Sequence, residues 1–449
     1  MRLDETMHFP YQMTLGALSG DAEIYEMGRE IARQCRRIGI HVNFAPTVDI
    51  NHNPRNPVIG FRSLGKDREQ VAARAYAYMQ GMQDEGLLAV AKHFPGHGNT
   101  DQDSHHTLPL IPGDKAALWH TELFPYRQFI PKGLGAVMVA HLHVPALDPA
   151  PGLASTLSRP IVTDLLRGEL GFEGIVFTDA MDMKGVAEAY IAGNDVMIFC
   201  KNVPVAIAEI RKAVERGEIS EAAITEKCRR VLAVKKWVGL DAWQPVEMQG
   251  LMEDLHRPAA YGLLRDLYAG AMTLASNAGG AIPLAPVGKI ASLAVHVGRQ
   301  GKDLLAHHSL EKGELVAGET ALTPFQTQLE QHVEMDHFVL RAAAGAKALP
   351  QLLQALAQYG RVILSIHGIH IKALNRFGID DEALALLRTV WTSLKPVTVV
   401  FGSPYTLEIF EGIGQAAAVV LAYQETEAAQ VAAADAVFGK IPLPGRTPF

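Results

Sequence analysis

The strongest constraint on this chain is a repeated alternation in its first half: an amphipathic helical stretch, a short and nearly all-apolar run, then polar residues. Ile24, Met27, Ile31, Cys35 and Ile38 recur at steps of three and four, so they share one helical face, and Gly39 stops it. Residues 40–50 then read as a strand that ends in Pro46-Thr47-Val48-Asp49. A second helix, capped by Asp67, carries the stripe Val71, Ala75, Met79 and Met82, and residues 87–91 form the next strand. Residues 136–140 run into His141, 175–177 into Thr178-Asp179, and 196–200 into Lys201-Asn202. Apolar strands alternating with amphipathic helices make parallel β/α units. Polar residues at the strands' carboxyl ends are the arrangement of a (β/α)8-type barrel. The rival, an open doubly wound sheet, needs a glycine-rich phosphate turn near its first strand, and no G-x-G-x-x-G stands there.

At 449 residues the chain exceeds one ordinary core, and two domains are expected. The alternation loosens around Trp243-Gln244-Pro245, so 1–240 is read as the barrel domain and 241–275 as linker and connecting helix. Residues 276–449 are read as an α/β sandwich, an α/β/α three-layer arrangement. Its strand-like runs are 290–297, 362–366, 397–401 and 417–422, with an alanine- and leucine-rich helix over 342–359. Forty-one basic against forty-eight acidic residues give a net charge of −7, and no Lys/Arg cluster supplies a nucleic-acid groove. Cys35, Cys200 and Cys228 never pair as C-x-x-C and read as reduced residues. No run reaches the roughly eighteen apolar residues of a membrane span. Met1-Arg2-Leu3-Asp4-Glu5 lacks a signal peptide's apolar core, so the chain as written is expected to be cytoplasmic, with export the alternative if the true N-terminus is missing.

The chemistry concentrates in Lys92-His93-Phe94-Pro95-Gly96-His97-Gly98, followed by Asp101 and Asp103-Ser104-His105-His106. Asp103 and His105 are two apart, close enough for the carboxylate to accept from the imidazole and raise its pKa, which suits a proton donor near neutrality. Asp179, between small Thr178 and Ala180 at a strand end, suits a nucleophile; capping the next helix is an equally good use of it. His93 and His97 with Asp103, His105 and His106 also contain zinc-ligand types, but Pro95-Gly96 breaks the helix on which such a pair would share a face. His141 and His143 share a face, and substrate contact or a hydrogen-bonded structural role both fit them.

The loop 92–98 with Asp103-Ser104-His105, the stretches Phe44-Ala45-Pro46-Thr47-Val48-Asp49 and Arg62-Ser63-Leu64-Gly65, and residues 171–179 together resemble glycoside hydrolase family 3, in its β-N-acetylglucosaminidase branch. Ala271-Met272-Thr273-Leu274 and residues 442–448 extend the resemblance through the second domain. It implies a retaining enzyme acting on terminal β-linked N-acetylglucosamine, such as cell-wall or peptidoglycan-derived fragments, by double displacement. Asp179 is then the nucleophile, and His105 oriented by Asp103 the acid and base, where most glycosidases use a carboxylic acid. Arg62, Lys92 and His93 match sugar-gripping positions, and Asp49 and His141 complete the expected substrate-binding set. No metal and no cofactor are implied; the partner is a small carbohydrate, and the oligomeric state is left open.

Two departures temper that expectation. Five β/α strand units are countable before Asp241, whereas a closed barrel has eight. In the family the first strands, one ending in a substrate-binding aspartate, lie upstream of the segment that Met1-Arg2-Leu3-Asp4 resembles, so the barrel is expected to be incomplete at its N-terminus. Only residues 180–195 separate Asp179 from the next strand, a short parallel crossover. The alternatives are therefore a sugar-binding remnant without turnover, glycosyl transfer to phosphate in place of water, and a metal-dependent hydrolase.

Overall fold

The computed structural model describes residues 6–100, 108–181, 185–298 and 322–449. The chain forms two compact units. One holds Gly20–Tyr261, and the other holds Gly262–Pro448 with the early segment Pro10–Ser19. The division falls inside the 241–275 stretch expected to connect them. No described helix is long and apolar enough to cross a membrane.

In the first unit β1 (Val42–Asn43), β2 (Leu88–Phe94), β3 (Ala136–Val139) and β4 (Ile175–Thr178) form one parallel sheet in that order. Single parallel pairings of Thr47 with Lys92 and of Phe177 with Val196 extend it. The strands expected over 40–50 and 196–200 are thus much shorter than the apolar runs implied. In the first case the chain turns through Ala45-Pro46, where proline has no N–H for the ladder, and its carbonyl accepts from Lys92 N at 3.1 Å instead. These findings establish an α/β unit with a parallel sheet.

Strand alternation puts Leu88, Val90, Ala136, Met138, Ile175 and Phe177 on one face, where Val231 and Val234 of the helix Glu221–Trp237, and Val238 after it, pack against them. Continuing the same period places Lys92 and Asp179 on that face at the strands' carboxyl ends. The helices Ala22–Arg37 and Arg68–Asp84 cross at close range because two glycines meet them. A Cβ on Gly28 would lie 2.5 Å from the Tyr78 carbonyl, and one on Gly81 2.1 Å from that of Tyr25. The short crossover after Asp179 contains the helix Val186–Ala192 and is pinned at its end by Asp195. Arg167 and Arg230 hold that buried carboxylate at 2.6 and 2.9 Å, and Val176 N donates to it at 2.8 Å.

The second unit carries β5 (Thr273–Asn277), β6 (Ile290–His296), β7 (Asp336–Arg341), β8 (Arg361–His367), β9 (Val397–Val400) and β10 (Ala418–Leu421), in sheet order β5-β10-β9-β8-β6-β7. All neighbours are parallel except β5 on β10. Val397 and Val399 face one layer of helix, with Ala429, Ala433 and Ala436 of Glu427–Val437 and Phe325 of Pro324–Glu330. The intervening Thr398 accepts from Trp391 Nε1 at 3.1 Å, in the helix Asp381–Leu394 on the opposite face. Strands β6, β8, β9 and β10 lie within two residues of the runs read from sequence, because strands covered on both faces are continuously apolar.

Candidate active site

Two stretches some forty residues apart build the floor of the site. Asp49 follows the Pro46 turn and has no side-chain exposure. Its Oδ2 accepts from His93 Nδ1 at 2.7 Å, and its Oδ1 accepts from the backbone N–H of His97 at 2.7 Å and of His93 at 3.3 Å. Burial works against a charge there, yet the donors of His93 and His97 outweigh it, and the pKa of Asp49 lies below the ordinary carboxylate value. Burial holds His93 below the ordinary imidazole value despite Asp49, and Arg62 and Lys92 add to that shift. Nδ1 of the ring faces Asp49. Its other nitrogen, Nε2, accepts from Arg62 Nη2 at 3.2 Å, which orients the guanidinium. The same guanidinium donates through Nη1 to the Val58 carbonyl at 3.2 Å.

The two stretches are stitched together further along. Val48 N donates to the Lys92 carbonyl at 2.7 Å, and Asn56 Nδ2 donates to the carbonyls of His97 and Gly98 at 2.9 and 3.2 Å. Gly98 packs so closely on this turn that a Cβ would lie 1.8 Å from the Ile50 carbonyl. Only glycine fits.

Asp179 leaves β4 with its N–H donating to the Val139 carbonyl at 2.8 Å. Its Oδ1 accepts from Ala180 N at 2.8 Å. Burial opposes ionisation here too, but His93, the Ala180 N–H, His141 and Lys92 outweigh it and keep Asp179 below the usual carboxylate pKa. The carboxylate is therefore charged at neutral pH, with donor and cationic groups about it.

Of the residues singled out from sequence, Asp49, Arg62 and His93 form one hydrogen-bonded chain, and Asp179, Lys92 and His141 are its electrostatic neighbours. His141 spends both ring nitrogens on the protein: Nδ1 pairs with Thr156 Oγ1 at 2.8 Å and Nε2 with the Ala180 carbonyl at 3.0 Å. Asp103 and His105 lie outside the described residues. No sequence signal marks Thr156 or Asn56. His97, offered from sequence as a zinc-ligand type, donates to Asp49 through its backbone N–H, and its buried ring has no hydrogen-bond partner among the described residues. A backbone donor of this kind leaves no trace in side-chain identity.

The sequence pattern of the glycosyl hydrolase family 3 N terminal domain matches residues 1–234. The chain belongs to glycosyl hydrolase family 3. A family 3 β-N-acetylglucosaminidase from Paenibacillus sp. str. FPU-7 has a similar structure, with a TM-score of 0.79 at 29% identity, covering 100% of this chain and 84% of that one. Beta-hexosaminidase A of Pseudoalteromonas piscicida is 32% identical over 268 residues, 52% of this chain and 44% of that protein. A beta-N-acetylglucosaminidase/beta-glucosidase of Cellulomonas fimi is 31% identical over 301 residues, 63% of this chain and 53% of its own length. The chain spans about half the length of the curated relatives it matches.

Proposed function

We propose that this family 3 chain is a retaining β-N-acetylglucosaminidase that removes terminal β-linked N-acetylglucosamine, with cell-wall fragments as the natural substrate class. The observation that carries the reading is Asp179: a carboxylate at a strand end, ionised in spite of burial, beside Lys92, His93 and His141. The names of its relatives, a beta-hexosaminidase and β-N-acetylglucosaminidases, support the sugar. In this reading the parallel sheet of the first unit is part of a (β/α)8-type barrel, with 1–240 as catalytic domain, 241–275 as connection and 276–449 as an α/β sandwich.

In the first step an oxygen of Asp179 attacks the anomeric carbon as the glycosidic bond breaks, and the leaving oxygen takes a proton from His105, oriented by Asp103. In the second, water gives a proton to His105 and its oxygen displaces Asp179 from the sugar. Lys92 and Arg62 donate to sugar oxygens. His93, fixed by Asp49, sets the direction of Arg62, so Asp49 acts from beneath the cleft.

Release of nitrophenol from 4-nitrophenyl N-acetyl-β-glucosaminide tests this. The parent chain turns over, and Asp179→Asn loses about 10⁴-fold or more in kcat, as removal of a nucleophile does. A slow fluorinated substrate adds one sugar to the peptide containing Asp179. Undiminished turnover by the variant, or a label on another peptide, overturns the assignment.

A further inference from the structure

We infer that His141 is a positioning residue for the nucleophile, a role that rests on Asp179 being that nucleophile. Three consecutive peptide groups around Asp179 are held in turn. Asp179 N–H is paired with the Val139 carbonyl at 2.8 Å, which fixes the peptide before the carboxylate. The peptide between Ala180 and Met181 is held at both ends: Met181 N–H donates to the Ile198 carbonyl at 3.0 Å, and the Ala180 carbonyl accepts from His141 Nε2 at 3.0 Å. Because peptide groups are planar and the flanking two are pinned, the one between keeps only rotation about its Cα–Cα line, which its own hydrogen bond stops. Its N–H, that of Ala180, is therefore aimed at Asp179 Oδ1, 2.8 Å away. One carboxylate oxygen is occupied; the other, Oδ2, has no partner among the described residues and is the one assigned to attack.

His141 is itself fixed from behind. With Nε2 donating to Ala180, Nδ1 accepts from the hydroxyl of Thr156 at 2.8 Å, a residue with no exposure. The Thr156 carbonyl accepts from Asn194 Nδ2 at 2.8 Å, and that amide also donates to the Ala189 carbonyl at 2.7 Å. Asn194 is fully buried. The ring is thus clamped between a buried anchor and the nucleophile's own backbone. Touching a sugar would cost it one of these bonds. Loss of the imidazole leaves the Ala180–Met181 peptide tethered at Met181 alone, and the Ala180 N–H no longer holds the attacking group in line. A misplacement on the order of 1 Å costs about 100-fold in rate.

Steady-state kinetics with 4-nitrophenyl N-acetyl-β-glucosaminide, together with inhibition by N-acetylglucosamine, tests the assignment on the full chain. His141→Ala lowers kcat about 10- to 100-fold while KM and the inhibition constant stay within about twofold. His141→Gln, which retains a donor, recovers part of the loss. Thr156→Val, which keeps the buried shape, loses about 2- to 10-fold in kcat with the same pattern; if His141→Ala does not fold, this variant decides. An increase of about tenfold in KM and in the inhibition constant at unchanged kcat makes His141 a sugar contact and overturns the proposal. So does an unchanged kcat in folded His141→Ala or, where that variant is unfolded, in Thr156→Val. In both cases Asp179→Asn is still inactive, so the nucleophile reading survives. Normal turnover by Asp179→Asn overturns both.

Discussion

Both units carry histidines at the carboxyl ends of parallel strands, and they employ them in opposite ways. In the second unit the register sets His296 beside His367, with rings stacked at 5.0 Å, and Phe401 stacks on His367 at 4.9 Å. His367 has no exposure. Its Nδ1 is paired with Glu425 at 3.1 Å and its Nε2 with Ser365 at 2.9 Å, while the second oxygen of Glu425 accepts from Gly368 N at 2.7 Å. The polar groups around His367 close on one another. In the first unit the same kind of support is placed one layer down, in Asp49 and His93, and the groups above it, Lys92 and Asp179, keep part of their surface in solvent. In the first unit a buried partner satisfies the strand-end histidine and the charged groups beside it stay half-buried at the surface.

That contrast can be broken at several points. The largest effect is expected at the buried support: Asp49→Ala leaves three donors without an acceptor and destabilises the first unit by on the order of 3–5 kcal/mol. Chemical denaturation should show it, with kcat/KM falling about 100-fold in whatever folded fraction persists. Next comes Gly98→Ala, whose Cβ would sit 1.8 Å from the Ile50 carbonyl. Backbone must move, and a loss of about 1–3 kcal/mol or more is expected in the same assay. In the second unit Glu425→Gln keeps the shape but exchanges an ionic acceptor for a neutral one, lowering stability by about 1–2 kcal/mol. A melting temperature unchanged by that substitution would remove the argument for a closed network.

The last effect is one of pH. Burial pushes His296 from 6.5 down to about 4, with His367 and Arg341 adding to the shift and Glu425 opposing it. The folded form then binds fewer protons than the unfolded chain across that window. Stability contributed by the neutral ring is present above about pH 6.5, declines as pH falls toward about 4, and changes little below. Melting followed across this range should steepen in the parent and flatten in His296→Phe, which keeps the stack and cannot titrate. Equal slopes would show that His296 contributes nothing to the acid response.

Legibility in the sequence followed burial. β6, β8, β9 and β10 declare themselves as unbroken apolar runs, whereas β7 at the sheet edge, Asp336–Arg341, is only half-buried and mixes charged with apolar residues, so no such run marks it. β5, also at an edge, was seen only as part of a family-like segment. Lys92, His93 and Asp179 were visible as reactive residues at strand ends. The bond from Asp49 to His93 spans 44 positions and rests on a turn that periodicity does not describe. The glycines Gly28 and Gly81 were silent as well, since a close helix crossing is specified by what is absent from two distant residues together.

The interlocking of the Asp49 turn with the 92–98 loop bears on how this fold can be altered. Val48 holds Lys92, Asp49 holds His93 and His97, Asn56 holds His97 and Gly98, and Gly98 nests on Ile50. For engineering, these stretches are one cassette split in two by sequence. A loop exchanged alone arrives without its mate, so recombination between relatives retains a working floor only when both crossover points enclose residues 46–98.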